Sequence, residues 1–310
     1  MHAVLLTLVC SVGASNAAIA HLLRRLRSDE KNAREDIPSW ETDNLQLPPG
    51  AFVPGVKHYY TFPPAPNALI VDIFMREKGI GTDGISAHEI FVDLPSLENR
   101  QKVLLNMNPQ GTLPWFVMDD GSVIAETIAM CEYVEEVLPD PPLIGNTPQN
   151  RAIVRQWQRR MEEHYVYPSV YGHRFWTASS DCPDEHFMSN FFADRLTEQN
   201  GAHLIPQAWK DLCHWARNRI LWLERVKQDQ VSDFIAGDHF SVVDVQVYVF
   251  LWFFSEAFPH PPQRILQGLQ GQLPWVQAWY DRIHKRPSVV AAREYRELNM
   301  MERPTAQSNA

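Results

Sequence analysis

Apolar positions recur along this chain in two periods, and the switch between them marks out its elements. Between Trp115 and Ala125 the period is near two, so Trp115 to Met118 and Ser122 to Ala125 read as short strands. Asp119, Asp120 and Gly121 between them are hairpin chemistry, because an Asp-Gly step supplies the positive φ of a tight turn. From Glu126 the period becomes helical, with Ile128, Cys131, Tyr133/Val134 and Val137/Leu138 at three- and four-residue steps. Upstream, Lys57 to Phe62 is a β-rich run ending in Pro63-Pro64. An amphipathic helix follows, with Leu69/Ile70 and Ile73/Phe74 on one face, Pro66 in its first turn and Gly79 as its stop. Glu89 to Val92 predicts a second strand and Leu97 to Met107 a second helix. Strand, helix, strand, helix, hairpin, helix is a βαβα-ββα order, whose crossovers imply a mixed sheet with helices on both faces.

Pro139-Asp140-Pro141-Pro142 breaks the third helix, and residues 139–148 read as a linker. Helical period then dominates residues 149–298. Ile153, Trp157, Met161, Tyr165, Tyr171 and Phe175 form one stripe, with Pro168 forcing a kink or break. Pro206 to Lys227 carries Trp209, Leu212/Cys213, Ala216, Ile220 and Leu223. Ser241 and Asp244 form a capping box, flanked by the staple positions Phe240 and Val245. The run Val242 to Phe254 is short and interrupted by Asp244 and Gln246, so it reads as a buried core helix rather than a membrane span. Leu273 to Arg286 is one more packing helix, closed by Pro287-Ser288-Val289, and residues 299–310 are a polar tail. An aromatic stripe at helical spacing is more often core than pocket. Tyr165 and Tyr171 are retained from it as pocket candidates.

Charge narrows the partners. The formal net charge of −9 argues against a nucleic-acid partner, since binding a phosphate backbone needs a basic face. The four cysteines lack metal or CxxC spacing, and the twelve histidines show no ligand motif, so no metal is expected. Residues 3–20 are uncharged and apolar, with Arg24, Arg25 and Arg27 behind them. This segment (1–25) reads as a signal peptide ending at Ala18-Ile19-Ala20, as an anchor keeping the folded part on the cytoplasmic side, as an organelle-targeting leader, or as a free amphipathic helix. Membrane association would run through residues 3–20. Residues 26–56 mix charge with Pro and Gly and read as a linker.

Candidate chemistry lies around the hairpin. Pro114 precedes a strand, and X-Pro is where a cis peptide costs little. A cis Leu113-Pro114 bond would turn the main chain of Leu113 outward, free to pair with a short extended peptide. Glu126-Thr127 opens a helix, where free N–H groups and the positive dipole end favour an anion. The Thr127 hydroxyl adds a donor for that anion, and the Glu126 carboxylate can take an ammonium beside it. A single amino-acid head group would satisfy both.

Asn108-Pro109-Gln110-Gly111-Thr112-Leu113-Pro114 followed by Glu126-Thr127 resembles the glutathione-binding core of the cytosolic-type glutathione transferase superfamily. The Pro-rich joint and the Ser241–Asp244 box fit the same resemblance, which covers roughly residues 57–298. It implies a thioredoxin-like α/β N-terminal domain over 57–138, an all-α C-terminal domain over 149–298, and a homodimer. It also implies that Leu113, with Pro114, pairs with the cysteinyl backbone of glutathione while Glu126 and Thr127 hold its γ-glutamyl end. The loop before the first helix is where this family places the group that activates the glutathione thiol. Ala65-Pro66-Asn67 there is similar to the Thr-Pro-Asn of the nu class and to a bacterial Ala-Pro-Ser-Pro loop. Asn67 can donate through its amide but cannot take a proton, so it suits thiolate stabilisation and not general-base catalysis. Tyr60 is a nearby hydroxyl candidate, together with Tyr59 and Thr61. The activity so implied is conjugation of glutathione, a co-substrate rather than a resident cofactor, to a small apolar electrophile. A glutathione-dependent thiol–disulfide reductase and a non-catalytic binding protein on the same fold are the alternatives.

Overall fold

The structure, a computed structural model, describes residues 47–177, 208–230, 232–257 and 271–301. The predicted leader, the first part of the linker and the tail from Arg303 lie outside the described residues. Among the described residues no helix is long and apolar enough to cross a membrane.

The first half runs β1 (Val56–Thr61), α1 (Pro66–Glu77), α2 (Thr82–His88), β2 (Glu89–Phe91), a 3₁₀ turn (Glu98–Arg100), α3 (Lys102–Met107), β3 (Trp115–Met118), β4 (Val123–Ala125) and α4 (Thr127–Val137). The sheet order is β2-β1-β3-β4. β2 is parallel to β1, while β3 is antiparallel to both β1 and β4. This is the mixed sheet of a thioredoxin-like domain. Ala68 through Met75 in α1 are all buried, because this helix has the sheet on one side and helices of the second half on the other.

The second half is all helical: α5 (Pro148–Met161), a π turn (Glu162–Val166), α6 (Tyr167–Thr177), α7 (Ala208–Gln228), α8 (Val242–Trp252), a second π turn (Phe253–Ala257), α9 (Pro274–His284) and α10 (Pro287–Met301). Every residue of α8 is buried, as its uniformly apolar sequence requires. Its one carboxylate, Asp244, accepts from the Ser241 N–H and hydroxyl, the Ile235 N–H and the Trp279 indole at 2.8–2.9 Å. The capping box is therefore also a buried tie between three segments.

Two charged nodes at the C-terminal end of α1 hold the joint and the second half. Lys78, with no side-chain exposure, pairs with Glu135 and donates to the carbonyls of Pro139 and Pro141. Glu135 in turn accepts the N–H groups of Leu143 and Ile144, so the Pro-rich joint wraps around one buried ion pair. One residue earlier, at the same C-terminal end of α1, Glu77 takes Arg286 at 2.8 Å and the Ser288 hydroxyl, which anchors the turn between α9 and α10.

Four local expectations change. Helix α2 is additional: its seven residues are mostly polar and carry no apolar period. The predicted helix over 97–107 divides, because Leu97 is left-handed (φ +61°) and Gln101 is extended between the 3₁₀ turn and α3. Pro168 does not break its helix. The π turn Glu162–Val166 lies just ahead of it, and such a bulge accommodates the missing N–H. Pro287 opens α10 instead of merely closing α9, since proline is compatible with a helix's first position.

Candidate functional site

The site forms where the sheet runs out. Trp115 pairs with Ala125 across β3 and β4, so Pro114 and Glu126 stand opposite each other one step past the ladder. The Leu113–Pro114 peptide is cis, and Leu113 lies outside the strand register. The two residues before it are fixed by buried asparagines: Asn99 donates to the Gly111 carbonyl at 2.7 Å and Asn108 to the Thr112 carbonyl at 2.8 Å. Gly111 is at φ +60°, and a Cβ there would crowd Arg100, Leu105 and the Asn99 carbonyl at 3.1–3.2 Å, so glycine is required.

Glu126 holds the most unusual backbone of the site. It sits at φ +72°, ψ +121°, a region that side-chain-bearing residues rarely adopt. Its carboxylate is exposed and caps nothing, although Glu126 occupies the N-cap position of α4. Thr127 is the first residue of that helix, and no acidic side chain occupies the first turn to offset the dipole. An exposed carboxylate thus lies beside an uncompensated helix start.

Asn67 stands one residue inside α1, behind Ala65 at the N-cap and Pro66. It is half-buried, and this first turn also lacks an acidic residue. A small apolar cluster joins this loop to the rest of the site. Phe62, Leu113 and Trp115 are buried together, with Tyr60, Ala65 and Ala125 packed against them. The residues flanking Asn67, Leu113 and Glu126 therefore meet in one cluster. Tyr60 is stacked on Trp115 at 4.9 Å between ring centroids and is half-buried there.

The two tyrosines selected from the helical stripe part company. Tyr165 is fully buried in the main core, where burial pushes its hydroxyl pKa up. Tyr171 is half-buried, with the Arg174 guanidinium 5.3 Å from its ring centre. Tyr167, an aromatic of the same stretch not retained as a pocket candidate, is 46% exposed at the start of α6. Burial raises its hydroxyl pKa, with further contributions from the charges of Glu162 and Glu126. The extra residue of the π turn rotates this face relative to a uniform 3.6 period. Cys131 is buried and Cys213 half-buried, and desolvation pushes both thiols up, that of Cys213 to about 12. Neither is poised as a nucleophile.

Comparison with known proteins agrees with this geometry. The family model described as the glutathione S-transferase N-terminal domain matches residues 65–137, and that for the C-terminal domain matches residues 218–282. Glutathione S-transferase 2 of Saccharomyces cerevisiae is 26% identical over 238 residues, covering 76% of this chain and 89% of the relative. Protein LigF of a Sphingobium species is 30% identical over 246 residues, covering 74% and 90%. A crystal structure of a glutathione S-transferase domain-containing protein from Marinobacter aquaeolei superposes with a TM-score of 0.60 at 26% identity, covering 75% of this chain and 99% of that one. With a mixed four-stranded sheet, an all-helical second half and both family domains in order, the chain belongs to the glutathione S-transferase superfamily.

Proposed function

We propose that the protein is a glutathione-dependent transferase. The observation that carries this reading is the strained, exposed Glu126 beside the free start of α4, directly across from the cis Leu113–Pro114 peptide. Backbone strain held at an exposed polar residue is typical of a ligand site, since nothing in folding alone rewards it. Leu113 offers main-chain groups to the cysteinyl unit, Thr127 and the α4 dipole take the γ-glutamyl carboxylate, and Glu126 takes its ammonium. The thiol then lies toward the start of α1. There the helix dipole and the Asn67 amide favour the thiolate, whose attack on an electrophilic carbon forms the C–S bond. That carbon's leaving group departs with its bonding electron pair, as halide when the substrate is an aryl halide. Tyr167 and Tyr171 would bound an apolar co-substrate on the helical side.

A reductase role is less well supported. Ala65 supplies neither thiol nor hydroxyl at the loop, Cys131 is buried, and the thiol of the half-buried Cys213 is pushed up to about 12. Asn67→Ala tests the catalytic assignment. Glutathione should still bind, the bound thiol pKa should rise by about one unit, and turnover with an aryl halide should fall roughly tenfold. An unchanged thiol pKa and rate would remove Asn67 from the mechanism.

A further inference from the structure

The loop that carries Asn67 has little means of holding itself. Pro63, Pro64 and Pro66 provide no N–H groups, and the Ala65 N–H donates to the Phe62 carbonyl, a turn that leaves the Pro64 carbonyl to be satisfied elsewhere. Its partner comes from the far end of the chain. Arg296 on α10 donates through Nε to the Pro64 carbonyl at 2.9 Å, across 232 residues of sequence. Arg296 is 4% exposed, and its guanidinium lies over the rings of Trp252 and Phe253 at 5.0 and 5.6 Å. It lines the same small cleft as Thr61, Pro63 and Ala68, with Nη2 unpartnered among the described residues. One residue earlier, Tyr295 donates to Glu89 at the start of β2 and lies beneath Arg76, which sets the height of α10 against the sheet.

An arginine buried for a single main-chain acceptor is a costly way to stabilise a fold, and an apolar side chain of similar length would lose less hydration. We propose that Arg296 is a positioning residue: it clamps the Pro64 carbonyl and so fixes Asn67 relative to Leu113 and the glutathione sulfur. The clamp itself is a statement about the loop. Its consequence for turnover rests on the transferase reading.

Side-chain length separates donor placement from charge. A glutamine amide nitrogen falls at the same point along the side chain as arginine Nε, whereas lysine keeps the charge and places its donor one bond beyond. Hydrogen exchange of residues 65–70 without glutathione should be faster in Arg296→Met and Arg296→Lys and near wild type in Arg296→Gln. In the same variants kcat should fall roughly 10- to 100-fold in the methionine and lysine proteins, with a raised pKa of the bound thiol and a glutathione KM within about twofold. Arg296→Gln should recover most of the loss. Tyr295→Phe, which touches the sheet and not the loop, should leave the thiol pKa alone. Unchanged exchange in Arg296→Met overturns the clamp. Faster exchange with an unchanged thiol pKa and kcat makes the contact structural only and overturns the positioning role. Rescue by lysine instead of glutamine overturns it too. Faster exchange in a protein that does not bind glutathione would leave the clamp standing and remove the transferase reading.

Discussion

Glu126 links stability and binding in opposite directions, and two substitutions separate them. Its φ of +72° with ψ of +121° costs any residue with a Cβ about 1–3 kcal/mol, a cost glycine does not bear. Glycine gives back about 0.5–1 kcal/mol through the entropy of the unfolded chain. Glu126→Gly should therefore exceed Glu126→Ala in stability by about 0.5–2 kcal/mol, although both lack the carboxylate. In a chain of this size that is a rise in Tm of about 1–4 °C. Both variants should lose the contact with the γ-glutamyl ammonium. A hydrogen bond to a charged group contributes about 1.5–3 kcal/mol, and the exposure of Glu126 places it at the lower end, or about tenfold in Kd. Urea midpoints and glutathione titrations on the same preparations read both quantities. Equal stability of the alanine and glycine variants would mean that no strain is stored at Glu126. Wild-type affinity in both would remove its carboxylate from the site.

Three further perturbations probe the frame. Lys78→Met strands Glu135 and two proline carbonyls in the joint; because Glu135 keeps the Leu143 and Ile144 donors, the cost should be near the low end of a broken buried pair, about 3 kcal/mol, read as a Tm drop of about 6 °C. A loss below about 1 kcal/mol would deny the joint its anchor. Asp244→Ala leaves donors from Ser241, Ile235 and Trp279 without an acceptor and should cost about 4 kcal/mol or more, visible as a lower urea midpoint at constant slope; a shift typical of a surface residue would contradict this. His284, between Tyr248 and Arg293, has its pKa lowered to about 4, by burial first and then by the Arg293 charge. Its folded pKa is below its unfolded one, so the associated stability is full above about pH 6.5 and is lost as pH falls through about 4. Allowing for its partial exposure, this is about 1–2 kcal/mol, and His284→Gln should flatten that part of the pH profile. An equal slope in the variant would rule it out.

What the sequence disclosed follows from how local each cause is. The Asp119–Gly121 hairpin, the Ser241–Asp244 box and the cis-compatible Leu113-Pro114 step are written in neighbouring residues, and the structure forms all three. Helix α2 has no such signature. It is held by packing, including an approach so close that a Cβ on Gly84 would lie 2.0 Å from the Ala51 carbonyl. The exposure of Tyr167 was not legible because a π turn changes the phase of a stripe without changing its composition. The strain at Glu126 depends on the crossing of β4 into α4, and the Arg296–Pro64 contact spans nearly the whole folded chain. Long-range contacts of this kind leave no periodic trace.

The account stands or falls on whether the Leu113 edge and the α4 start together hold one short zwitterionic peptide. Titration calorimetry of the protein with glutathione and, separately, with cysteinylglycine measures this directly. Saturable one-to-one heat with glutathione and none with the truncated peptide is the predicted result. No heat with either, or equal affinity for both, would contradict it.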